Sequence, residues 1–385
     1  MAAALRLLQT NMSNTTNFDL IVVGAGIVGL AHAYTAAQRG LKVCVVEKDA
    51  ACIGASIRNF GFVTVTGQGA GDTWRRARRA REIWGEVAPQ AGIDVIHRGL
   101  YLTAFRPKAL TVLEEFMGTA MAEGCELLNV DEAARRAPVL QLDGAQAVLY
   151  SPHEARVESR TAIGLLARWL AKAKGVSFRF GEQVLEVATP RVRTSRARLH
   201  AERVAVCTNI ELGGLFAERL APHQLRLCQL HMLRVRPPEG FRLPGSVMAD
   251  LSLVRYLGYS ELPAARALRA QLEAEEGESL ANGIHLIVVQ SADGSLVVGD
   301  SHHYGPVVEP FADTRVDDLI LRHMQEALKL PHYTVTQRWV GTYPSSPVTD
   351  CLIDAPDAAT RLVIVTSGTG ASTAFGIAEE VFAGW

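Results

Sequence analysis

The chain has 385 residues, of which 48% are hydrophobic and 21% charged. That composition excludes a disordered or collagen-like chain, and the length suits two domains, each with its own core. Lys plus Arg number 39 against 40 Asp plus Glu, a net charge of −1, so no basic excess marks a general nucleic-acid or membrane-surface binder.

The N-terminal piece Ala2–Leu8 carries Arg6 in its middle and lacks the charged-then-apolar order of a signal peptide. Met12 is an alternative start to Met1. The stretch Leu20–Ala37 is uncharged and long enough to flag a membrane helix. Its three glycines, with His32 and Thr35, predict a strand, a turn and a helix instead. The cysteines at 44, 52, 125, 207, 228 and 351 form no CxxC pair, and Cys44 and Cys207 lie in apolar, strand-like runs. The reading is a reducing, cytoplasmic compartment with neither a zinc site nor a disulfide framework.

Leu20–Val23 reads as a buried parallel strand. Gly24-Ala25-Gly26-Ile27-Val28-Gly29 follows, then a helical stretch Leu30–Arg39 closed by Gly40. A second strand, Val43–Val46, ends at Glu47 and Lys48. In such a βαβ unit Gly24 permits the turn, Gly26 lets the backbone approach a pyrophosphate, and Gly29 lets the helix pack on the strand. Glu47 would accept both hydroxyls of an adenosine ribose.

Gly54-Ala55-Ser56-Ile57-Arg58-Asn59-Phe60-Gly61 comes next, where a plain NAD domain would continue with another βα unit. This segment resembles the GxSxRNxG segment of FAD-dependent amine oxidases and dehydrogenases of the D-amino-acid oxidase and glycine oxidase family. There it runs along the ribityl chain and under the flavin. The tail is similar too. Arg338-Trp339-Val340-Gly341-Thr342-Tyr343-Pro344 precedes Pro347–Asp350, a strand Leu362–Val365, the turn Ser367-Gly368-Thr369-Gly370-Ala371-Ser372-Thr373, and a helix Ala374–Phe382. In the family this glycine turn aims helix N–H groups at the flavin pyrimidine oxygen. Val184 matches the residue that meets the adenine. Cys207-Thr208-Asn209 ends the family's next FAD-domain strand, with Asn209 where glycine is expected; Asn tolerates the left-handed backbone.

The implied fold is α/β with an α+β substrate part. It has a Rossmann-like FAD-binding domain of glutathione-reductase type and a second, mainly antiparallel-sheet substrate domain. The first would comprise 18–90, 145–220 and 336–385; the second, 91–144 and 221–335. Gly99–Thr103 and Ala147–Tyr150 read as strands, Arg160–Lys174 as a helix, and Val176–Phe180 as a return to the FAD domain. Period-2 stretches at Leu225–Val235, Leu253–Tyr259, Ile284–Gln290 and Ser295–Asp300 predict the substrate sheet. Residues 261–281 read as one helix. The run Arg75, Arg76, Arg78, Arg79, Arg81 reads as a solvated helix face, with an anion patch as the lesser alternative.

The resemblance implies non-covalent FAD, since no cysteine neighbours Tyr343 and Cys351 lies beyond Asp350. It implies hydride transfer from an amine-bearing carbon to flavin N5, followed by imine hydrolysis and reoxidation by oxygen or another acceptor. Glycine and D-amino-acid oxidases carry a carboxylate-binding arginine between the Gly and Pro of the tail motif; here Tyr343 stands in that interval. The substitutes expected on the substrate sheet are His302, His303 and Tyr304 in Gly299–Gly305, with Arg255, Tyr256 and Gln290. Such donors suit a dianion. No metal is expected: the two histidines are adjacent and no carboxylate cluster is evident nearby. Arg58–Gly61, Thr66-Gly67-Gln68 and Gly299–Gly305 together resemble FAD oxidoreductases associated with aminophosphonate breakdown, which implies a small anionic amine related to 2-aminoethylphosphonate. The alternatives are a glycine, sarcosine or D-amino-acid oxidase, a 2-hydroxy-acid dehydrogenase, or a non-catalytic electron-relay subunit.

Overall fold

The computed structural model describes residues 17–385, so the readings of Ala2–Leu8 and of Met12 lie outside the described residues. In chain order the strands are β1 (Asn17–Val23), β2 (Val43–Glu47), β3 (Phe62–Val63), β4 (Val95–Ala104), β5 (Glu126–Leu128), β6 (Ala147–Val157), β7 (Ser177–Phe180), β8 (Val184–Ala188), β9 (Arg191–Thr194), β10 (Arg198–Val206), β11 (Arg226–Arg236), β12 (Ser246–Ala249), β13 (Ile287–Gln290), β14 (Leu296–Gly299), β15 (His303–Gly305), β16 (Thr334–Ser345), β17 (Cys351–Asp357) and β18 (Thr360–Val365).

The first sheet runs β17-β18-β10-β1-β2-β7, with β8 and β9 appended to β10. Its centre is parallel, and β17 and β9 pair antiparallel at its margins. The central strands are apolar at nearly every position because both faces are covered. Leu20, Val22, Val43, Val45, Val363 and Val365 pack under the helices Ile27–Gln38, Asp72–Ala91, Ser159–Lys174 and Gly370–Ala383. The alternate residues Ile21, Val23, Cys44, Val46, Leu362 and Ile364 face Val184 on β8 and Val192 on β9.

The second sheet runs β15-β11-β14-β13-β12-β4-β6-β3, with β16 on the other edge of β11 and β5 on β6. It is antiparallel except where β12 runs parallel to β4. The helices Pro107–Met117, Ala265–Glu275 and Thr314–Ala327 close one face around Leu100, Leu102, Leu233, Val235 and Val298. Among the described residues no helix is long and apolar enough to cross a membrane.

Three expectations change here. Leu253–Tyr259 is not a strand: the helical turns Asp250–Leu253 and Leu257–Ser260 flank Arg255 and Tyr256. Ser252 O takes N–H bonds from both Arg255 and Tyr256, which curls the chain away from a ladder. Residues 261–281 form two helices, Ala265–Glu275 and Gly277–Ala281, broken at Glu276. The boundaries at 145 and 336 also move. β6 and β16 lie in the second sheet, because their partners β4 and β11 are there.

The arginine run lies on the helix Asp72–Ala91 and is spent on ion pairs. Arg76 reaches Glu380 at 2.6 Å and Arg79 reaches Glu379 at 2.7 Å, both on the C-terminal helix. Arg78 pairs with Glu123, Arg75 with Asp72, and Arg81 donates to His153 O. This agrees with a solvated face rather than an anion patch.

The two helices also approach closely in backbone. A Cβ on Gly376 would stand 2.6 Å from Arg76 O and 2.8 Å from its Cα. Gly376→Ala should therefore destabilise the protein by about 1–3 kcal/mol, outweighing the roughly 1 kcal/mol that alanine gains in a helix. The Arg79–Glu379 side chains are 42% and 39% exposed, so Arg79→Ala should cost under about 1 kcal/mol. Thermal melts of the two variants check the order; equal or reversed losses refute it.

Candidate functional site

At the end of β1 the chain turns at Gly24, whose φ is +101°, and a Cβ there would stand 2.6 Å from Cys207 O. Gly29 packs so tightly that a Cβ would overlap Gly24 O. The helix Ile27–Gln38 therefore starts hard against β1, with its N-terminus at the C-terminal end of that strand. Ser56 Oγ accepts from Ile27 N–H at 3.0 Å, which ties the 54–61 segment to that N-terminus. Glu47 Oε2 accepts from Ala25 N–H at 2.8 Å, and Oε1 from Asp49 N–H at 3.0 Å. The carboxylate is thus aimed before any ligand arrives.

Residues Ala55–Ile57 form one 3-10 turn. Asn59 Oδ1 accepts from Gly61 N–H at 2.8 Å, and Trp339 Nε1 donates to Arg58 O at 2.9 Å. This second bond clamps the segment against β16 and its Gly341. Across the gap, Gly368 has φ +75°, and a Cβ on it would stand 3.0 Å from Tyr343 Cζ. The C-terminal helix begins at Gly370, and its Ser372 Oγ takes the N–H of Thr64 at 2.9 Å. Asn209 has φ 54°, the left-handed value expected of it.

All of this borders one cavity of about 1100 Å³. Its wall includes Gly24, Gly26, Ile27, Val28, Glu47, Lys48, Ala55, Ser56, Arg58, Asn59, Phe60, Val184, Cys207, Thr208, Asn209, Gly341 and Gly368–Ser372. Ala25, Gly29, Gly61 and Thr373 stand behind that wall and shape it. The volume exceeds the roughly 300–1,000 Å³ of ordinary ligand pockets and suits an elongated ligand. Bare glycine surfaces beside a helix N-terminus, and a positioned carboxylate at the tip of β2, fit a dinucleotide.

The far end of the cavity lies on the second sheet. Cys228 on β11 pairs with Tyr304 on β15 and with Tyr343 on β16, so the two tyrosines flank one strand. Arg255 Nη2 donates to Tyr304 Oη at 3.0 Å. His302 lies 4.9 Å from His285 and 6.4 Å from Tyr343, ring centre to ring centre. Asp300 stands between the histidines: Oδ1 is 3.3 Å from His285 Nε2, and Oδ2 is 3.7 Å from His302 Nε2. Burial pushes the Asp300 carboxyl up to about 7, with Arg255 pulling the other way. Burial, reinforced by Arg255, pushes His285 down to about 3 and His302 well below the usual histidine range. Both imidazoles are therefore neutral at pH 7.

A profile described as FAD dependent oxidoreductase matches residues 19–383. The chain belongs to the FAD-dependent oxidoreductase family. Among curated relatives, one of the subunits of the opine oxidase of Rhizobium meliloti is 26% identical over 220 residues, a match that spans 53% of this chain and 58% of that protein. Among solved structures, glycine oxidase from Geobacillus kaustophilus has a TM-score of 0.74 at 17% identity, covering 96% of this chain and 94% of that one. L-proline dehydrogenase from P. horikoshii has a TM-score of 0.75 at 17% identity, covering 95% and 92%. These two likenesses concern the fold.

The FAD-dependent oxidoreductase differs from its sequence reading at several site positions. Gln290 is outside the cavity wall. Its amide is consumed by Leu243 N–H, Phe241 O and Gly294 O, each at 2.9 Å, and braces a loop. His303 also points away: its Nε2 meets Asn282 Oδ1 at 3.0 Å and its ring lies 5.8 Å from His231. Neighbours in extended chain face opposite sides, so His302 and Tyr304 turn inward while His303 cannot. Arg255 and Tyr256 line the cavity from a helical turn and not from the sheet. Asp300 and His285 are not among the expected site residues: no carboxylate was expected beside the histidine pair, yet the fold sets Asp300 against His302. One signal was available: His285 sits at the head of an otherwise apolar run.

Two expectations test the cofactor end. Glu47→Ala removes a carboxylate worth about 1.5–3 kcal/mol per charge-assisted bond, so the FAD dissociation constant should rise about 10- to 150-fold for each ribose hydroxyl lost. Fluorescence titration of the deflavinated protein measures it, and an unchanged constant removes Glu47 from the ribose. Cys351 is not on the cavity wall, and burial pushes its thiol up to about 12, far from a reactive thiolate. Acid precipitation should therefore release all the flavin; a yellow pellet contradicts this.

Proposed function

We propose that the enzyme oxidises a small anionic amine at its amine-bearing carbon, with an aminophosphonate related to 2-aminoethylphosphonate as the preferred substrate. The observation that carries this reading is the Arg255–Tyr304 contact at 3.0 Å, inside the cavity and beside Tyr343. The guanidinium comes from the turn before Leu257–Ser260, and the tail motif supplies only a phenol. A phosphonate offers three oxygens and up to two charges, so it uses separate donors well, whereas a carboxylate needs one fork.

When bound along the cavity wall, FAD would supply a hydride acceptor for the substrate carbon. The chain's residues do the rest. Arg255, Tyr304 and Tyr343 hold the anionic end by charge and hydrogen bonds. Phe60, Leu230 and Ile287 give the cavity apolar walls and keep water from the reacting carbon. The imine so formed is hydrolysed to a carbonyl compound and an amine or ammonia. Oxygen or another acceptor takes the electrons.

The test is an anaerobic spectral screen of flavin bleaching. 2-Aminoethylphosphonate and its N-methyl form should act faster than β-alanine, glycine, sarcosine, D-alanine or a 2-hydroxy acid. Arg255→Met should lower kcat/KM for the phosphonate about 10- to 150-fold, and Tyr304→Phe by less. If an amino acid outruns every phosphonate, the amino-acid oxidase alternative replaces this one. If only hydroxy acids bleach the band, the donor is an alcohol.

A further inference from the structure

The anion-binding donors leave part of the cavity end unexplained. Asp300 Oδ1 is buried and has no hydrogen-bond partner among the described residues; His285 Nε2 stands 3.3 Å away without the alignment for a bond. His302 Nδ1 lies 2.8 Å from Gly283 O, so that nitrogen carries the ring proton and Nε2 is left as an acceptor. One side-chain nitrogen or oxygen from each of His285, Asp300 and His302 falls within 4.8 Å of the others. Arg255, Tyr304 and Tyr343 form a donor cluster in the same cavity. The cavity end therefore has two poles, one of acceptors and one of donors.

We propose that Asp300 seats the substrate's amino group and takes one of its protons, with His302 Nε2 as the second acceptor. This rests on the amine reading above. In the step, one N–H bond of the bound ammonium breaks and an O–H bond forms at Asp300 Oδ1. The nitrogen keeps the electron pair as its lone pair. A cation and a carboxylate become a neutral amine and a carboxylic acid, and no electron leaves the pair. The neutral amine can then push hydride from the neighbouring carbon, which an ammonium cannot do.

The surroundings suit this role. Asp300 is faced by Arg255 and Tyr256 from the turn before Leu257–Ser260, by Cys228 on β11, by His285 before β13 and by His302 before β15. Burial raises the Tyr256 phenol and pushes the Cys228 thiol up to about 11, so both stay neutral, as do the histidines. Arg255 is the lone fixed charge in that set. Asp300, raised to about 7, is then the group that titrates near neutrality, where a proton acceptor works best. The spacing of the three side chains would also admit a divalent cation, but the Arg255 charge opposes one.

The experiment uses the FAD-loaded enzyme and the amine that bleaches it fastest. In the wild type, the anaerobic flavin-reduction rate should rise with pH through about 7, as Asp300 loses its proton. Asp300→Asn, isosteric and uncharged, should keep its FAD and its melting temperature, lose that limb, and reduce flavin about 10²- to 10⁴-fold more slowly. A second measurement reads binding without turnover. With the flavin already reduced by dithionite, calorimetry should show Asp300→Asn weakening 2-aminoethylphosphonate by about 10- to 150-fold and leaving ethylphosphonate within about twofold. Glycine and acetate replace that pair if an amino acid wins the screen. A wild-type profile with no limb near 7 overturns the assignment even if the variant fails to fold. So does equal weakening of both ligands, or activity abolished by a chelator and restored by a divalent metal. If amines bleach the flavin and Asp300→Asn matches the wild type, Asp300 alone is wrong; if no amine bleaches it, the amine reading has failed and takes this one with it.

Discussion

Close contact of backbone with backbone at the end of β1 governs the cofactor half of this molecule. Gly29 presses on Gly24 O, and Gly24 presses on Cys207 O. No side chain separates the helix Ile27–Gln38 from the strand, so the helix N-terminus opens at the strand tip. Partial positive charge at that terminus has value only if something anionic comes there. Ser56 and Glu47 then follow from the same constraint. Each accepts an N–H from the turn or from the helix start, so the loop after β2 and the acid at its tip are aimed by the backbone they satisfy. A Cβ at Gly29 would shift all of these together.

The second sheet meets that unit along β16. Trp339 bonds Arg58 O, Gly341 lies under the same segment, and Tyr343 covers Gly368. One strand thereby touches two cofactor-side loops, carries Tyr343 and, through Cys228, reaches Tyr304. This explains why the cavity is continuous across both sheets. Tyr343 has its ring packed on Gly368, and the Arg255 guanidinium reaches the same cavity from the turn before Leu257–Ser260.

What could be read from the sequence follows the range of the interaction responsible. Gly24–Gly29, Glu47 and Asn209 are local backbone requirements, and each was legible from a few neighbouring residues. Leu253–Tyr259 looked like a strand because its apolar spacing allowed one; the N–H bonds to Ser252 O decided otherwise. Ala147–Tyr150 was recognisable as a strand and Arg338–Pro344 as part of the tail motif, but the partners of β6 and β16 are chosen by non-local pairing. Gln290 and His303 have suitable chemistry on the right strands and face the wrong way, a matter of register that composition does not carry. Asp300 and His285 are fifteen residues apart in sequence and 3.3 Å apart in space. Only the return of β13 into β14 brings them together.

The two poles of the cavity end bear on one another energetically. Placing a half-buried guanidinium and a buried carboxylate in the same pocket is costly unless each finds a partner. Arg255 has a phenol as its bonded partner and Asp300 Oδ1 has none, so neither satisfies the other directly. A ligand with an anion at one end and an ammonium at the other would satisfy both at once. A simple anion would leave Asp300 exposed to a second negative charge, and a simple cation would do the same to Arg255. On the proposed reading the pocket would discriminate by a difference between poles, with each unmatched ligand penalised by the pole it fails to meet. Burial that raises Asp300 to about 7 softens this demand at low pH, where the carboxyl is neutral and the amine end is no longer held by charge.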